Sequence, residues 1–261
     1  MTTLESRLRA TRDGGRKLLM PYLTGGIVPD WTDYLAAIAA AGADAVEVGL
    51  PFSDPTLDGP TIQEASDAAL SRGATPSGIL ADLAGVDMGV PLVASTYANL
   101  ALRDGFCGQL REAGVAGLIV PDLPLDESGP LEATASGSGL ALALLVSPAT
   151  PVLRVRDIAA RSRGFVYAVS LMGTTGERDQ LAESAATLAA RLRQATDRPV
   201  FLGFGISTPQ QAAQAACAAD GVIVGAAVMR RVLDGATPAE IGAFVATLRS
   251  ALDDRAAGRR P

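Results

Sequence analysis

The sequence predicts an α/β protein, a single (β/α)8 TIM barrel with a leading N-terminal helix and extra short helices. Short apolar runs rich in β-forming residues alternate with longer segments of helical period, which is the pattern of parallel strands joined by crossover helices. Eight such runs occur in 261 residues, and eight βα units of this size suit one closed barrel. A doubly wound open sheet is the alternative, but no GxGxxG motif follows the first run to support it.

The predicted strands follow one another at intervals that hold a strand, a helix and two loops. They cover residues 18–24, 45–49, 91–96, 117–121, 141–146, 165–170, 199–203 and 221–224. The intervals after the second and sixth strands are longer and have room for an extra helix. No linker or low-complexity tract divides the chain, so residues 1–261 are expected to form one domain, with a leading helix in 1–16 and a disordered tail in 255–261.

Helix starts between the strands carry local signals. Each combines a capping residue or glycine with an early proline or a capping-box glutamine. The signals are Asp30 before Trp31, Gly59-Pro60 before Thr61, Thr75 before Pro76, and Ser207-Thr208-Pro209 before Gln210.

Charge and hydropathy exclude several kinds of partner. The chain has 22 Lys+Arg against 28 Asp+Glu, a net charge of −6, and no long basic run, which argues against nucleic acid or an anionic membrane. No apolar run approaches the roughly 18 residues that a membrane span requires, and the first residues have no secretory core. We therefore expect a cytoplasmic protein, and the charge balance leaves small neutral or phosphorylated metabolites open as ligands.

The residue types that are missing constrain the chemistry. With no histidine, a histidine general base, a Ser/Cys-His pair and the common histidine-ligated metal sites are excluded, and no metal site is expected. The one lysine, Lys17, precedes the first strand, at the barrel end that serves stability. Cys107 and Cys217 lack a CxxC spacing and are interpreted as small packing residues. Acid-base work must then fall to Asp, Glu, Tyr or Lys.

Two carboxylates stand where a barrel places its function, at the carboxyl ends of strands and in the loops after them. Glu47 lies in the apolar strand AVEVG, where burying a charge costs free energy unless the charge is paired or has a function. The alternative is a glutamate that hydrogen-bonds to nearby backbone amides. Asp58 lies in the polar loop PFSDPTLDGP, and its alternative role is to cap the next helix. Asp54 is interpreted as a turn former.

Three glycine-bearing loops follow the last three predicted strands. They contain Gly173 to Gly176, Gly203 to Ser207, and Gly225 to Ala227. Glycine lets backbone N–H groups approach an oxyanion, and the loops after strands 7 and 8, with a short helix N-terminus, are the usual phosphate site of this fold. A phosphorylated substrate is therefore expected, although glycine also ends strands for conformational reasons. Thr174 and Thr175 are candidate hydroxyls of a loop over the site, or ordinary helix caps.

These segments together carry a family resemblance. EVGLPFSDPTLDGPTIQEA, STYAN, PDLPLDES, RGFVYAVSLMGTTGERD, GFGISTPQQ and DGVIVGAAVMRR, in this order, resemble the alpha chain of tryptophan synthase. The resemblance implies a lyase that cleaves indole-3-glycerol phosphate reversibly to indole and D-glyceraldehyde 3-phosphate in L-tryptophan biosynthesis. It implies no cofactor in this chain, and a beta chain partner that carries pyridoxal phosphate in an alpha2-beta2 complex.

Residue by residue, the resemblance implies roles for the predicted site. Glu47 matches the general acid/base and Asp58 the carboxylate that bonds the indole N–H. The substrate-binding matches are Tyr22, Tyr167, Thr175, Gly176, Phe204, Gly205, Gly225 and Ala226. Barrel core is the alternative for the three aromatic residues.

The missing histidine and the remote lysine agree with this chemistry. Without a lysine Schiff base or a metal, the substrate must accept the electrons itself, and an indole protonated at C3 can do so. Carboxylates then suffice, with Glu47 moving protons and Asp58 stabilising positive charge on the ring nitrogen. Two alternatives stay open: a stand-alone lyase that releases free indole, and a weakly active regulatory subunit that activates a beta chain. A sugar-phosphate epimerase is disfavoured, because its usual metal ligands include histidine.

Some positions depart from the family pattern. Ala226 stands where a serine is usual, Ser95 where a bulky apolar residue is usual near the indole, and Thr56-Leu57 where an aliphatic residue and alanine are usual. The resemblance also assigns the beta chain contact to the loop 51–55 and the segment 97–104.

Overall fold

The computed structural model describes residues 3–169, 178–203 and 205–257. Within them eight parallel strands pair in chain order, and the last pairs with the first, so the predicted closed barrel is confirmed. The strands are β1 (Leu18–Thr24), β2 (Val46–Gly49), β3 (Leu92–Ser95), β4 (Val115–Ile119), β5 (Ala141–Val146), β6 (Val166–Val169), β7 (Val200–Gly203) and β8 (Gly221–Val224).

Helices surround the strands. They are α1 (Leu4–Asp13), α2 (Trp31–Ala40), α3 (Pro60–Ser71), α4 (Pro76–Ala84), α5 (Ala98–Ala101), α6 (Phe106–Glu112), α7 (Gly129–Gly137), α8 (Val152–Arg161), α9 (Arg178–Ala195), α10 (Pro209–Ala218), α11 (Ala226–Leu233) and α12 (Pro238–Ala257). The interval between β2 and β3 holds the extra helix that its length predicted. No helix in the described ranges is long and apolar enough to cross a bilayer.

Apart from one-residue differences at the ends of β2, β3, β6 and β7, three local predictions differ from the structure. The fourth strand begins at Val115, two residues earlier than predicted, because Val115 pairs with Leu92 and extends the ladder. It ends at Ile119, before Pro121, which has no N–H to donate. The capping box of α10 uses Gln211 rather than Gln210, because Thr208 is the N-cap and the box needs the residue three positions later. α12 continues to Ala257, so the first residues of the predicted tail are helical.

The inside of the barrel is filled from its amino-terminal end. Leu4 and Leu8 of α1 are buried in the interior cluster with Phe165 and Phe201. A Cβ on Gly117 would lie 2.6 Å from Leu4 Cδ2, so any larger residue there would displace the Leu4 side chain. Lys17 Nζ donates to the Ala219 carbonyl at 2.7 Å on the same side. At the opposite end, where the strands finish, the interior opens into a cavity that Glu47 and Asp58 line.

Candidate active site

A cavity of about 850 Å³, including its open mouth, lies at the carboxyl ends of the strands. Most of the predicted site residues line it, namely Glu47, Asp58, Tyr22, Tyr167, Gly205, Gly225 and Ala226. Thr175, Gly176 and Phe204, together with Thr174, lie outside the described residues. The barrel thus brings together side chains that are far apart in the sequence, as expected for a site built from several strand ends.

Glu47 is a buried carboxyl group inside the barrel, with 4 % of its surface exposed. On the adjacent strand β1 its neighbour is Tyr22. The Glu47 Oε2 atom has no hydrogen-bond partner among the described residues. Burial raises the pKa of Glu47 to about 8, against a hydrogen bond from Ser95 that lowers it, and the negative charge of Asp58 raises it further. Glu47 therefore carries a proton at neutral pH and has an oxygen free for a ligand.

Asp58 is held by a tyrosine that follows β3. Tyr97 Oη donates to Asp58 Oδ2 at 3.0 Å and accepts the Leu57 N–H at 3.2 Å. Burial raises the pKa of Asp58, while the hydrogen bond from Tyr97 lowers it. Asp58 does not cap α3, whose N-cap is Gly59 without a side-chain bond. This carboxylate therefore faces the cavity instead of the helix.

Tyr97 is a cavity residue that the sequence pattern does not identify, since the family resemblance places it only in the segment that contacts the beta chain. The ring is buried and stacks on Phe52 with centroids 4.8 Å apart. A signal was available: Tyr97 stands in a short polar run directly after a predicted strand, where a barrel places functional residues. Nothing in that pattern names Asp58 as its partner.

Two glycines make room for the predicted tyrosines. A Cβ on Gly49 would lie 1.9 Å from Tyr22 Oη, and a Cβ on Gly203 would lie 2.4 Å from Tyr167 Oη. The sequence predicts Gly203 in a phosphate loop, and in the structure this glycine makes room for the Tyr167 ring. Burial raises the pKa of both tyrosines, and the charges that Asp58 and Glu47 carry at alkaline pH raise it further, so both tyrosines stay neutral. Both pack in the core as well as lining the cavity.

Backbone groups with little side-chain cover line another part of the cavity. Gly205 has a φ of 74°, in the left-handed region that favours glycine. Gly225 is the N-cap of α11 and Ala226 its first residue, and both line the cavity. The first N–H groups of a helix lack partners within the helix, so this corner is suited to an anion.

A comparison with known families decides the assignment. The family model described as tryptophan synthase alpha chain matches residues 8–251. The chain belongs to this family. It is 45 % identical over 249 residues to the tryptophan synthase alpha chain of Picosynechococcus sp., covering 92 % of this chain and 94 % of that one. The tryptophan synthase alpha chain of Halorhodospira halophila is 42 % identical over 270 residues, with 99 % of each chain covered.

Solved structures agree with the tryptophan synthase assignment. A chain in a crystal structure of tryptophan synthase from M. tuberculosis, in an aminoacrylate-bound form, superposes with a TM-score of 0.86 at 34 % identity, covering 96 % of this chain and 99 % of that one. The tryptophan synthase alpha chain from Legionella pneumophila gives a TM-score of 0.84 at 31 % identity, covering 97 % and 98 %.

Membership of the tryptophan synthase alpha chain family carries its activity. The chain is a lyase that cleaves indole-3-glycerol phosphate, as the alpha subunit in tryptophan biosynthesis. Its partner is the beta chain, and pyridoxal phosphate belongs to that chain. The comparisons support neither a stand-alone lyase nor a regulatory subunit.

Proposed function

We propose that Glu47 and Asp58 carry out the cleavage of indole-3-glycerol phosphate in this cavity. The observation that supports this most is the state of Glu47: buried, with Oε2 unpartnered among the described residues and a pKa raised to about 8. A second carboxylate, Asp58, lines the same cavity. Two carboxyl groups in different environments can divide acid-base work from charge stabilisation.

The reaction needs one proton donated and one removed. Protonated Glu47 gives its proton to C3 of the indole, and the ring nitrogen becomes a positively charged iminium group. The bond from C3 to the glycerol chain then breaks, and its electron pair restores the indole ring. As it breaks, the Glu47 carboxylate takes the proton of the adjacent hydroxyl group, whose carbon becomes the aldehyde of glyceraldehyde 3-phosphate. Asp58 accepts the N–H bond and stabilises its growing charge.

The rest of the cavity binds the two ends of the substrate. Tyr22 and Tyr167 flank the indole ring, with Phe204 from outside the described residues. The phosphate rests on backbone N–H groups of Gly205, Gly225 and Ala226, with the dipole of α11 behind it. Thr175 and Gly176 complete this proposed phosphate site. The geometry that supports it is the shared lining of one cavity.

The same proposal places the protein in the cytoplasm. Cys107 and Cys217 are both free thiols in the structure, which fits a reducing compartment.

Indole release by Glu47→Gln and Asp58→Asn, with and without a beta chain, tests the proposed roles. Glu47→Gln should lose about 10²–10⁴ in turnover, the range for one proton-transfer group, and still bind glycerol 3-phosphate. Asp58→Asn should lose more in turnover than in affinity, because an amide accepts the N–H bond but carries no charge. Glu112→Gln and Asp67→Asn, exposed residues outside the cavity, are the controls. Near-native cleavage by Glu47→Gln would refute the proposal.

A further inference from the structure

Buried Ser, Thr, Asp and Glu side chains in the described ranges fall into two groups. Those with a hydrogen-bond partner in the protein are Thr24, Asp44, Ser128 and Ser162. Within the described residues, the hydroxyl groups of Ser66 and Thr96 have no such partner, and neither has the Oε2 atom of Glu47. All three of these residues line the active-site cavity. A buried polar group without a partner needs an explanation, and the shared cavity points to a ligand.

Ser66 belongs to none of the loops that the sequence predicts to carry function. It lies in α3 and is only 3 % exposed. A serine or threonine in a helix can donate its hydroxyl to the carbonyl four residues earlier, as Thr134 does to Pro130 at 3.0 Å. Among the described residues Ser66 makes no such bond, and the cavity is the open space beside it. Its hydroxyl is therefore available to a ligand in the cavity.

The packing of α3 places Ser66 beside the proposed phosphate corner at the start of α11. Ile62, one turn earlier on the same face of α3, also lines the cavity. Its Cδ1 atom lies 3.8 Å from the position that a Cβ on Gly225 would occupy. An ion pair between Arg230 of α11 and Glu64 of α3, with N to O distances of 2.7 and 3.1 Å, joins the two helices. One helical turn is about 5.4 Å long, which brings Ser66 close to a ligand bound at the start of α11.

We propose that Ser66 is a further substrate-binding residue, whose hydroxyl donates a hydrogen bond to an oxygen atom of the glycerol phosphate end of the substrate. The inference rests on the proposed binding of that end at Gly205, Gly225 and Ala226. These residues offer backbone N–H groups and no side-chain donor. Ser66 supplies a side-chain donor from a different helix, and no protein partner competes for it among the described residues, so the bond to the ligand adds affinity.

The test is the binding of glycerol 3-phosphate and of indole to the full chain, measured by titration calorimetry. Ser66→Ala should weaken glycerol 3-phosphate binding about 2- to 13-fold, the size of one neutral hydrogen bond, and leave the affinity for indole unchanged. Ser71→Ala makes the same substitution at an exposed serine of α3 outside the cavity lining, and should change neither constant. With the beta chain present, Ser66→Ala should raise the KM for indole-3-glycerol phosphate more than it lowers kcat.

Thermal unfolding of the same variants separates ligand binding from a structural role. A buried hydroxyl without a protein partner does not stabilise the fold, and alanine favours a helix more than serine does. Ser66→Ala should therefore unfold at or above the wild-type temperature. A lower unfolding temperature would show that the hydroxyl supports the fold, and would overturn the inference.

The binding results can also contradict the proposal. Wild-type affinity for glycerol 3-phosphate in Ser66→Ala, with Glu47→Gln inactive, would overturn the role of Ser66 and leave the proposed function intact. Equal losses for glycerol 3-phosphate and indole would show a general disturbance of the cavity, which also overturns it. Failure of the wild-type chain to bind glycerol 3-phosphate would instead refute the proposed phosphate site itself.

Discussion

Tyr97 and Asp58 form a hydrogen bond of 3.0 Å that joins the end of β3 to the loop after β2. The same hydroxyl accepts the Leu57 N–H, so one tyrosine fixes both the carboxylate and the backbone beside it. The ring in turn stacks on Phe52, in the loop that the family resemblance assigns to the beta chain contact. Tyr97 therefore links Phe52, at the rim of the barrel, directly to Asp58, a carboxylate of the proposed site.

Tyr97→Phe should impair catalysis through Asp58. Without the hydroxyl the pKa of Asp58 rises, because burial acts unopposed. The acidic limb of kcat/KM should move upward by about one pH unit, since ionised Asp58 is the competent form. Tyr34→Phe is the matched control, because its hydroxyl bonds to the Ala236 carbonyl away from the cavity. Equal profiles for the two variants would contradict the role of Tyr97.

Glu47→Gln should change how stability depends on pH. The native pKa of Glu47 is about 8 against an ordinary value of 4.5, so the folded state binds a proton between these values that the unfolded state has released. Stability therefore falls as pH rises through this window, by at most about 1.4 kcal/mol per unit from this group. Urea denaturation between about pH 5 and about pH 8 should give a flatter dependence for Glu47→Gln than for wild type. Glu112→Gln should follow wild type, and parallel curves for wild type and Glu47→Gln would contradict the shifted pKa.

Gly49→Ala should displace Tyr22. The new Cβ would lie 1.9 Å from the tyrosine hydroxyl, so the buried ring would have to shift, and a loss of about 1–3 kcal/mol in unfolding free energy is expected. Gly108→Ala is the control with the opposite sign: it lies in α6 with nothing within 4 Å of its Cβ and should gain about 0.5–1 kcal/mol. Thermal unfolding and indole release should both separate the two variants. Equal stability would show that Gly49 is not a packing requirement.

Ala226→Ser should tighten phosphate binding. A hydroxyl at the first residue of α11 adds a donor at the proposed phosphate corner, and one neutral hydrogen bond corresponds to roughly 2- to 13-fold in affinity. The dissociation constant of glycerol 3-phosphate measures the gain. Ala98→Ser, at the first residue of α5 and outside the cavity lining, should leave it unchanged. An unchanged constant for Ala226→Ser would mean that another group already occupies this place.

Leu102→Glu should weaken stimulation by the beta chain. Leu102 has 51 % of its surface exposed in the predicted contact segment, and a charge there opposes burial in an interface. Turnover stimulated by the beta chain should fall by about 5- to 150-fold, the typical size of an allosteric coupling, while basal indole release persists. Leu153→Glu, at a leucine 73 % exposed on α8, should keep the stimulation. Equal loss in both variants would place the contact elsewhere on this face or spread it across α8.

The sequence alone determined the architecture, because the signals for it are local. Short apolar runs, and the residues that interrupt them, predict the bounds of β1, β5 and β8 correctly. Pro60 and Pro76 mark helix starts at the positions where the structure has them. The rule that barrel sites lie at carboxyl strand ends then singled out Glu47 and Asp58, and both line the cavity. At Ser207 and Thr208 two adjacent residues could each serve as the N-cap, and the glutamine predicted for the capping box is one residue too early.

Only the tertiary structure decided which side chains meet. The hydrogen bond from Tyr97 to Asp58 joins residues 39 positions apart, and it depends on how β3 lies beside β2. The protonation of Glu47 at neutral pH is likewise a property of its surroundings, because burial is what raises its pKa. A linear pattern records which residue types occur and how they are spaced, whereas distances, free space and desolvation exist only once the strands have closed into the barrel.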